Sequence, residues 1–216
     1  MEAFLGQLNS IIWSSALIYL CLGSGLYFSV RTRFLQVRHF RHMLSIMREG
    51  RSSDSGVSSF QALAMSLSGR VGTGNIAGVA TAIAMGGPGA VFWMWMVAFL
   101  GASTAYVEAT LAQIYKEKDD NGEYRGGPAY FIEKAMGQNW YAWLFAASTI
   151  IAVGFCLPGI QSNSIVAAMN NAWNVPPIAT ASFIALGIAL IIFGGVKRIA
   201  HFAQVVVPAM ALGYIL

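Results

Sequence analysis

Ser66-Leu67-Ser68-Gly69-Arg70-Val71-Gly72-Thr73-Gly74-Asn75-Ile76-Ala77-Gly78 lies inside an otherwise apolar segment running from Gln61 to Met85, long enough to cross a bilayer. A membrane helix needs about 20 apolar residues, because lipid offers backbone N–H and C=O groups no partners. Here the middle of the span is filled instead with Gly, Ser, Thr, Asn and one Arg. Each glycine weakens a helix by about 1 kcal/mol relative to alanine, and Gly69, Gly72, Gly74 and Gly78 are clustered. The pattern predicts a helix that breaks at membrane depth, where irregular backbone survives only if buried in protein or lining a polar cavity. Discontinuous helices of this kind form the midplane sites of secondary transporters: half-helix N–H groups face anionic substrate and unwound carbonyls coordinate a cation. The alternative is that the small residues only let a neighbouring helix pack closely. That reading leaves Arg70 and Asn75 without a role.

Composition points the same way. Of the 216 residues 56% are hydrophobic and only 10% charged, against about 25% charged in soluble domains. The mean hydropathy is +0.60. Trp140 to Val196 contains no Asp, Glu, Lys or Arg. Both cysteines, Cys21 and Cys156, fall in apolar segments, so a disulfide framework is not expected and the compartment is left open. A pI near 9.2 can signal nucleic acid, but in a membrane chain excess Lys and Arg reports orientation, and no nucleic-acid partner is expected. The N-terminus lacks a basic n-region, so Ile11 to Val30 reads as a retained span, not a cleaved signal.

Taken in order, Ile11 to Val30 supplies one crossing. Arg31 to Ser59 is polar and basic, and its middle places Phe34, Val37, Phe40, Met43, Leu44 and Met47 at helical spacing, an amphipathic helix on the membrane surface. The broken span ends in a Gly86-Gly87-Pro88-Gly89 turn, and Val91 to Tyr115 crosses back. Lys116 to Met136 is a polar loop with a short helix from Ala129. Trp140 to Met169 is the next span, kinked at Pro158-Gly159. Asn170 to Pro177 turns the chain, Ile178 to Phe193 returns it, Lys197 and Arg198 follow, and Phe202 to Leu216 begins a further span. The loops after Val30, Tyr115 and Phe193 hold six, four and two Lys/Arg, twelve of the thirteen, and the opposite loops hold none. The positive-inside rule makes the charged side cytoplasmic and puts the N-terminus outside.

At Thr73-Gly74-Asn75 the free N–H groups of a restarting helix make an anion site, to which the Thr73 hydroxyl and Asn75 amide add contacts. Arg70 either binds a substrate carboxylate or faces a cytoplasmic vestibule and pairs with an acid. The second is preferred, because a fixed strong pair would hinder release. Glu108, the only acid within a span, reads as an ion- or proton-path residue or as a structural carboxylate. Gln161 and Asn163, just beyond Pro158, either hydrogen-bond substrate or act as helix–helix glue. His39, His42 and His201 sit in or beside cytoplasmic loops. No zinc spacing, phosphate loop or nucleophile elbow appears, so nothing points to an enzyme.

Phe60-Gln61-Ala62-Leu63, Val71-Gly72-Thr73-Gly74-Asn75-Ile76-Ala77-Gly78-Val79-Ala80, Gly86-Gly87-Pro88-Gly89-Ala90-Val91-Phe92-Trp93-Met94-Trp95 and Gly122-Glu123-Tyr124-Arg125-Gly126-Gly127-Pro128-Ala129-Tyr130 closely resemble the alanine/glycine:cation symporter family, the sodium:alanine symporters. The likeness runs over essentially the whole chain. It implies an all-α inner-membrane protein that imports alanine or glycine with Na⁺ as coupling ion, occasionally H⁺, and needs no other cofactor. It also implies a leucine-transporter-like fold of two inverted five-helix repeats preceded by one extra helix. On that likeness residues 1–30 hold the extra transmembrane helix, 31–59 the basic cytoplasmic segment, and 60–216 the first repeat, ending inside its fifth helix. The substrate carboxylate would meet the N–H groups of Thr73 and Gly74. Carbonyls near Ser68 and Val71 would offer oxygens to Na⁺ at about 2.3–2.6 Å, as for a similar-sized ion, and Asn75 sits where the broader fold can place an ion ligand. The family's chains are about twice this length, so the expectation is a fragment or truncated gene product whose missing C-terminal repeat completes the sites. Its partners would be the small amino acid, Na⁺ and the lipid bilayer. Two other readings stand beside this one: a non-transporting membrane subunit, and a channel-type pore, against which a single unrepeated glycine cluster argues.

Overall fold

The computed structural model describes residues 2–49, 57–120, 122 and 124–215, which are mostly helical. The end of the expected basic segment, Gly50 to Gly56 with Arg51, and the loop residues Asn121 and Glu123 lie outside the described residues.

Helices α1 (Glu2–Ile12) and α2 (Ser15–Arg31) meet at Trp13-Ser14 and carry a 26-residue apolar run, Gly6–Arg31. Helix α2 lies against α7 (Gly89–Ile114). The approach is close because Gly25 has no side chain: a Cβ there would sit 2.9 Å from Leu100 Cβ and 3.2 Å from the Leu100 carbonyl carbon. Ser29 and Ser103 are fully buried in this contact. The Ser29 hydroxyl donates to Ser103 Oγ at 3.1 Å, and Ser103 Oγ in turn lies 2.9 Å from the Gly25 carbonyl oxygen. With no water in hydrocarbon, such hydroxyls must find each other or a carbonyl, which ties the two helices.

The expected amphipathic stretch forms α3 (Leu35–Arg38) and α4 (Phe40–Glu49), divided at His39. Two consecutive left-handed residues, Arg33 (φ 54°) and Phe34 (φ 50°), turn the chain out of α2. Gln36 Nε2 donates to Ser29 Oγ at 2.9 Å and holds α3 to the α2–α7 contact.

The expected break is present. Helix α5 (Ser59–Ser68) opens with a capping box: Ser58 Oγ accepts from the Gln61 N–H and Gln61 Oε1 from the Ser58 N–H. Helix α6 (Ala77–Gly86) resumes the span, which ends at Gly87 (φ 73°). Helix α12 (Gly195–Ile215) packs along α5, burying Ala64, Ala203 and Val207 beside Met65. Across this contact Gln61 Nε2 donates to Gln204 Oε1 at 3.1 Å.

The loop after α7 contains a hairpin the sequence reading does not include, β1 (Glu117–Lys118) and β2 (Tyr124–Arg125). Lys116 Nζ sits 4.3 Å from the Tyr124 ring centroid, and Arg125 pairs with Asp119. Helix α8 (Pro128–Met136) follows, its Pro128 in the first turn where a missing N–H costs nothing.

Helix α9 (Asn139–Thr149), a π-helical stretch Ile150–Cys156 and α10 (Leu157–Trp173) form one apolar run of 35 residues. The distortion expected at Pro158-Gly159 falls upstream instead, because proline disturbs the carbonyls one turn before it and the wider π turn absorbs that loss. The turn expected from Asn170 is shorter: α10 continues to Trp173, and Asn174 (φ 53°) closes it before α11 (Pro177–Ile192). Lys197 and Arg198, expected in a loop, belong to the first turns of α12, since Gly195 (φ 74°) turns the chain within Phe193-Gly194-Gly195. The α12 axis departs from that of α11 by 119°. Three runs, Gly6–Arg31, Gly89–Ile114 and Asn139–Trp173, are long and apolar enough to cross a membrane, and a fourth if the bent α11–α12 pair is one span. The expected six crossings differ by counting α5 with α6 as one broken span and α11 and α12 as two.

Candidate functional site

The site grows from the failure of one helix. After Ser68 the hydrogen-bond ladder shortens: Arg70 N–H and Val71 N–H both donate to the Leu67 carbonyl, at 2.9 and 3.0 Å. Gly72 is fully extended (φ −158°), and Thr73–Asn75 make a single 3₁₀ turn before α6 begins. The carbonyls of Ser68, Gly69 and Val71 accept no hydrogen bond among the described residues, and the Gly74 N–H donates none. The C-terminal end of α5 therefore presents partial negative charge, and the restart before α6 presents partial positive charge.

Opposite the break stands α10. Gln161 Oε1 accepts from both the Thr73 N–H (3.1 Å) and the Thr73 hydroxyl (2.9 Å). A backbone N–H can only donate, so the amide oxygen has to face it and the Gln161 NH₂ is turned away. That NH₂ has no hydrogen-bond partner among the described residues and lies where a Cβ on Gly72 would be, 2.4 Å from it. Residues 68–72, 74 and 75 form one wall of an open cleft of about 470 Å³, and Val153, Leu157, Pro158 and Gln161 the other.

Thr73 and Gln161, both singled out in the sequence, are thus brought into contact, with Ser68, Arg70, Val71, Gly74 and Asn75 around the same cleft. Three details differ from expectation. The Thr73 N–H is not free, because Gln161 takes it, which leaves Gly74 to offer the open donor. Asn75 turns its amide back on the break, Nδ2 donating to the Arg70 carbonyl at 3.0 Å. Arg70 meets no acid among the described residues: its Nη1 donates to the Ser66 carbonyl (2.9 Å) and to Ser66 Oγ, both in the last turn of α5. A guanidinium reaching back one turn finds those acceptors before any carboxylate. Glu108 is exposed on α7, away from the cleft and without a partner among the described residues.

Two site-bracing residues escaped the sequence reading. Tyr214 Oη, on α12, donates to the Asn75 carbonyl at 2.9 Å, and Gln204 bonds Gln61 at the foot of α5. Neither carried a local signal: Tyr214 serves a carbonyl freed by a break 139 positions away.

YrbD of Bacillus subtilis (strain 168), proposed as a sodium/proton-dependent alanine carrier, is 61% identical over all of this chain. GlnT of the same organism, proposed as a sodium/glutamine symporter, is 46% identical over all of it. The sodium/alanine symporter AgcS of Methanococcus maripaludis is 38% identical over 99% of it. The chain spans about half the length of these relatives: 44%, 45% and 49% respectively. The family model described as the sodium:alanine symporter family matches residues 1–216, and the chain belongs to that family of membrane transporters.

Proposed function

We infer that the chain forms the first half of a leucine-transporter-like symporter, in the cytoplasmic membrane with its N-terminus outside, that carries a small amino acid inward with Na⁺. The observation that carries this reading is the pair of unspent donors in one cleft, the Gly74 N–H and the Gln161 NH₂, facing unspent carbonyls at Ser68 and Val71. A zwitterionic amino acid needs donors for its carboxylate, and a desolvated Na⁺ needs oxygens. The carboxylate takes the two donors, aided by the positive end of α6. Thr73 does not touch it; it fixes the Gln161 amide by its oxygen so that the nitrogen is aimed. Na⁺ as cargo takes the Ser68 and Val71 carbonyls at the negative end of α5, with remaining ligands from elsewhere in the complete transporter. Sharing one break, anion and cation favour each other's binding, which is the physical root of coupling.

Alanine or glycine is the proposed substrate, supported by the names of YrbD and AgcS; GlnT's name makes glutamine the competitor to exclude. The orientation is supported by the twelve Lys/Arg on one side. Labelled alanine uptake into proteoliposomes holding the complete transporter should require an inward Na⁺ gradient and be inhibited by glycine and not by glutamine. Equal uptake in K⁺ buffers, or glutamine competing as well as alanine, would sink this reading.

A further inference from the structure

On the side of α2 turned away from α7 runs a shallow groove of about 370 Å³, lined by Gly23, Leu26, Tyr27, Val30 and Arg31. The apolar positions recur at three- and four-residue spacing and so share one face, while Gly25 and Ser29, which pack on α7, lie on the other. Leu26, Tyr27 and Val30 are all more than half exposed, and a Cβ on Gly23 would meet nothing within 4 Å. The groove ends at Arg31, in the last turn of α2, and exposed Arg33 follows in the left-handed turn. Neither arginine has an acidic partner among the described residues.

We propose that this groove is a binding site for one anionic phospholipid. Dimensions and charge select that occupant. From Gly23 to Arg31 the helix rises about 12 Å, close to the roughly 15 Å depth of one leaflet's hydrocarbon. The stripe therefore matches the upper part of an acyl chain, and the arginine stands at the level of the phosphate. Gly23 makes room for the chain, and the exposed Tyr27 ring flanks it. A free phosphate would use only Arg31 and leave the apolar stripe wet. A zwitterionic lipid would fill the stripe but bring a cation beside the guanidinium.

The test uses the complete transporter, transferred from mild detergent into nanodiscs of equal phosphatidylglycerol and phosphatidylcholine and released for native mass spectrometry of the lipid it carries. Wild type retains phosphatidylglycerol over phosphatidylcholine. Arg31→Gln cuts that preference about fivefold, one basic residue's share of surface attraction. Gly23→Leu, which fills the groove without touching charge, lowers retention of both lipids. Lys197→Gln/Arg198→Gln, basic residues on a different helix, leaves the preference intact. The proposal is overturned if wild type shows no preference, or if the Lys197/Arg198 variant loses as much as Arg31→Gln. It is equally overturned if glycerol phosphate displaces the lipid, or if a dimer sensitive to Gly23→Leu forms with no lipid selectivity.

Discussion

Replacing Gly72 by alanine tests the aiming of Gln161 with a single methyl group. Gly72 has an extended backbone that any residue adopts, so the substitution adds bulk without strain. The new Cβ would fall 2.4 Å from Gln161 Nε2, 3.3 Å from its Cδ and 3.4 Å from Oε1, and the nearest atom is the free end of a flexible side chain. The amide must therefore swing away while the main chain stays put. Both bonds from Thr73 are then lost. The amide is then no longer aimed at the carboxylate; a hydrogen bond to a charged group is worth about 1.5–3 kcal/mol, so its loss gives about a 10- to 150-fold rise in the alanine concentration for half-maximal uptake. The assay is uptake by the complete transporter in proteoliposomes, with inserted protein quantified in each variant. A double-mutant cycle isolates the cause: with Gln161 already alanine there is nothing left to push, so adding Gly72→Ala should change affinity by no more than about twofold. An equal loss in both backgrounds would show that the methyl acts elsewhere and that Gln161 is not the group it displaces. No loss in either would remove the Thr73–Gln161 contact from the binding machinery.

Gly74→Leu should leave insertion and thermal stability unchanged, since a Cβ there meets nothing within 4 Å, yet abolish alanine uptake by covering the open N–H; retained uptake refutes the cradle. Gly25→Ala should destabilise the chain by about 1–3 kcal/mol by forcing α2 off the Leu100 backbone, while Gly23→Ala, in open space, does not; equal melting temperatures in detergent would contradict the close packing. Tyr214→Phe should speed amide exchange over residues 73–76 about 2- to 12-fold by releasing the Asn75 carbonyl, with unchanged exchange as the negative result. Cysteines at Ser10, Gly87 and Asn174 should label from outside the cell and one at Ser45 only after permeabilisation; the reverse pattern overturns the orientation.

Elements whose cause is local were legible. The apolar runs of α2 and α7, the amphipathic spacing of α4 and the glycine-marked break between α5 and α6 follow from composition and period, which a sequence displays directly. What was misplaced depended on how strain spreads. Pro158 announces a disturbance, but the helix distributes it over Ile150–Cys156, upstream of the residue that causes it. Lys197 and Arg198 look like a loop by charge, yet the left-handed Gly195 completes the turn early enough for both to join α12. The Glu117–Lys118 hairpin is held by Tyr124 beneath Lys116 and by the Arg125–Asp119 pair, contacts that no periodicity encodes.

The site shows the same boundary more sharply. Its glycines look equivalent in the sequence, but a Cβ on Gly69 would touch only the Ser66 carbonyl at 3.8 Å, and one on Gly74 or Gly78 would touch nothing within 4 Å. Gly72 alone of these four faces a side chain at clashing distance, and that side chain is Gln161, 88 residues beyond its Thr73 partner. Spacing could therefore nominate both Thr73 and Gln161 as polar residues in apolar spans, but it could not say that one would consume the other's donor. That exchange changes the chemistry of the cleft. Had the Thr73 N–H stayed free, two adjacent backbone amides would define the anion site, and any small anion could use them. With Gln161 holding it, one donor comes from the break and one from a separate helix. On the proposed reading, the anion site is complete only while α10 lies against the break.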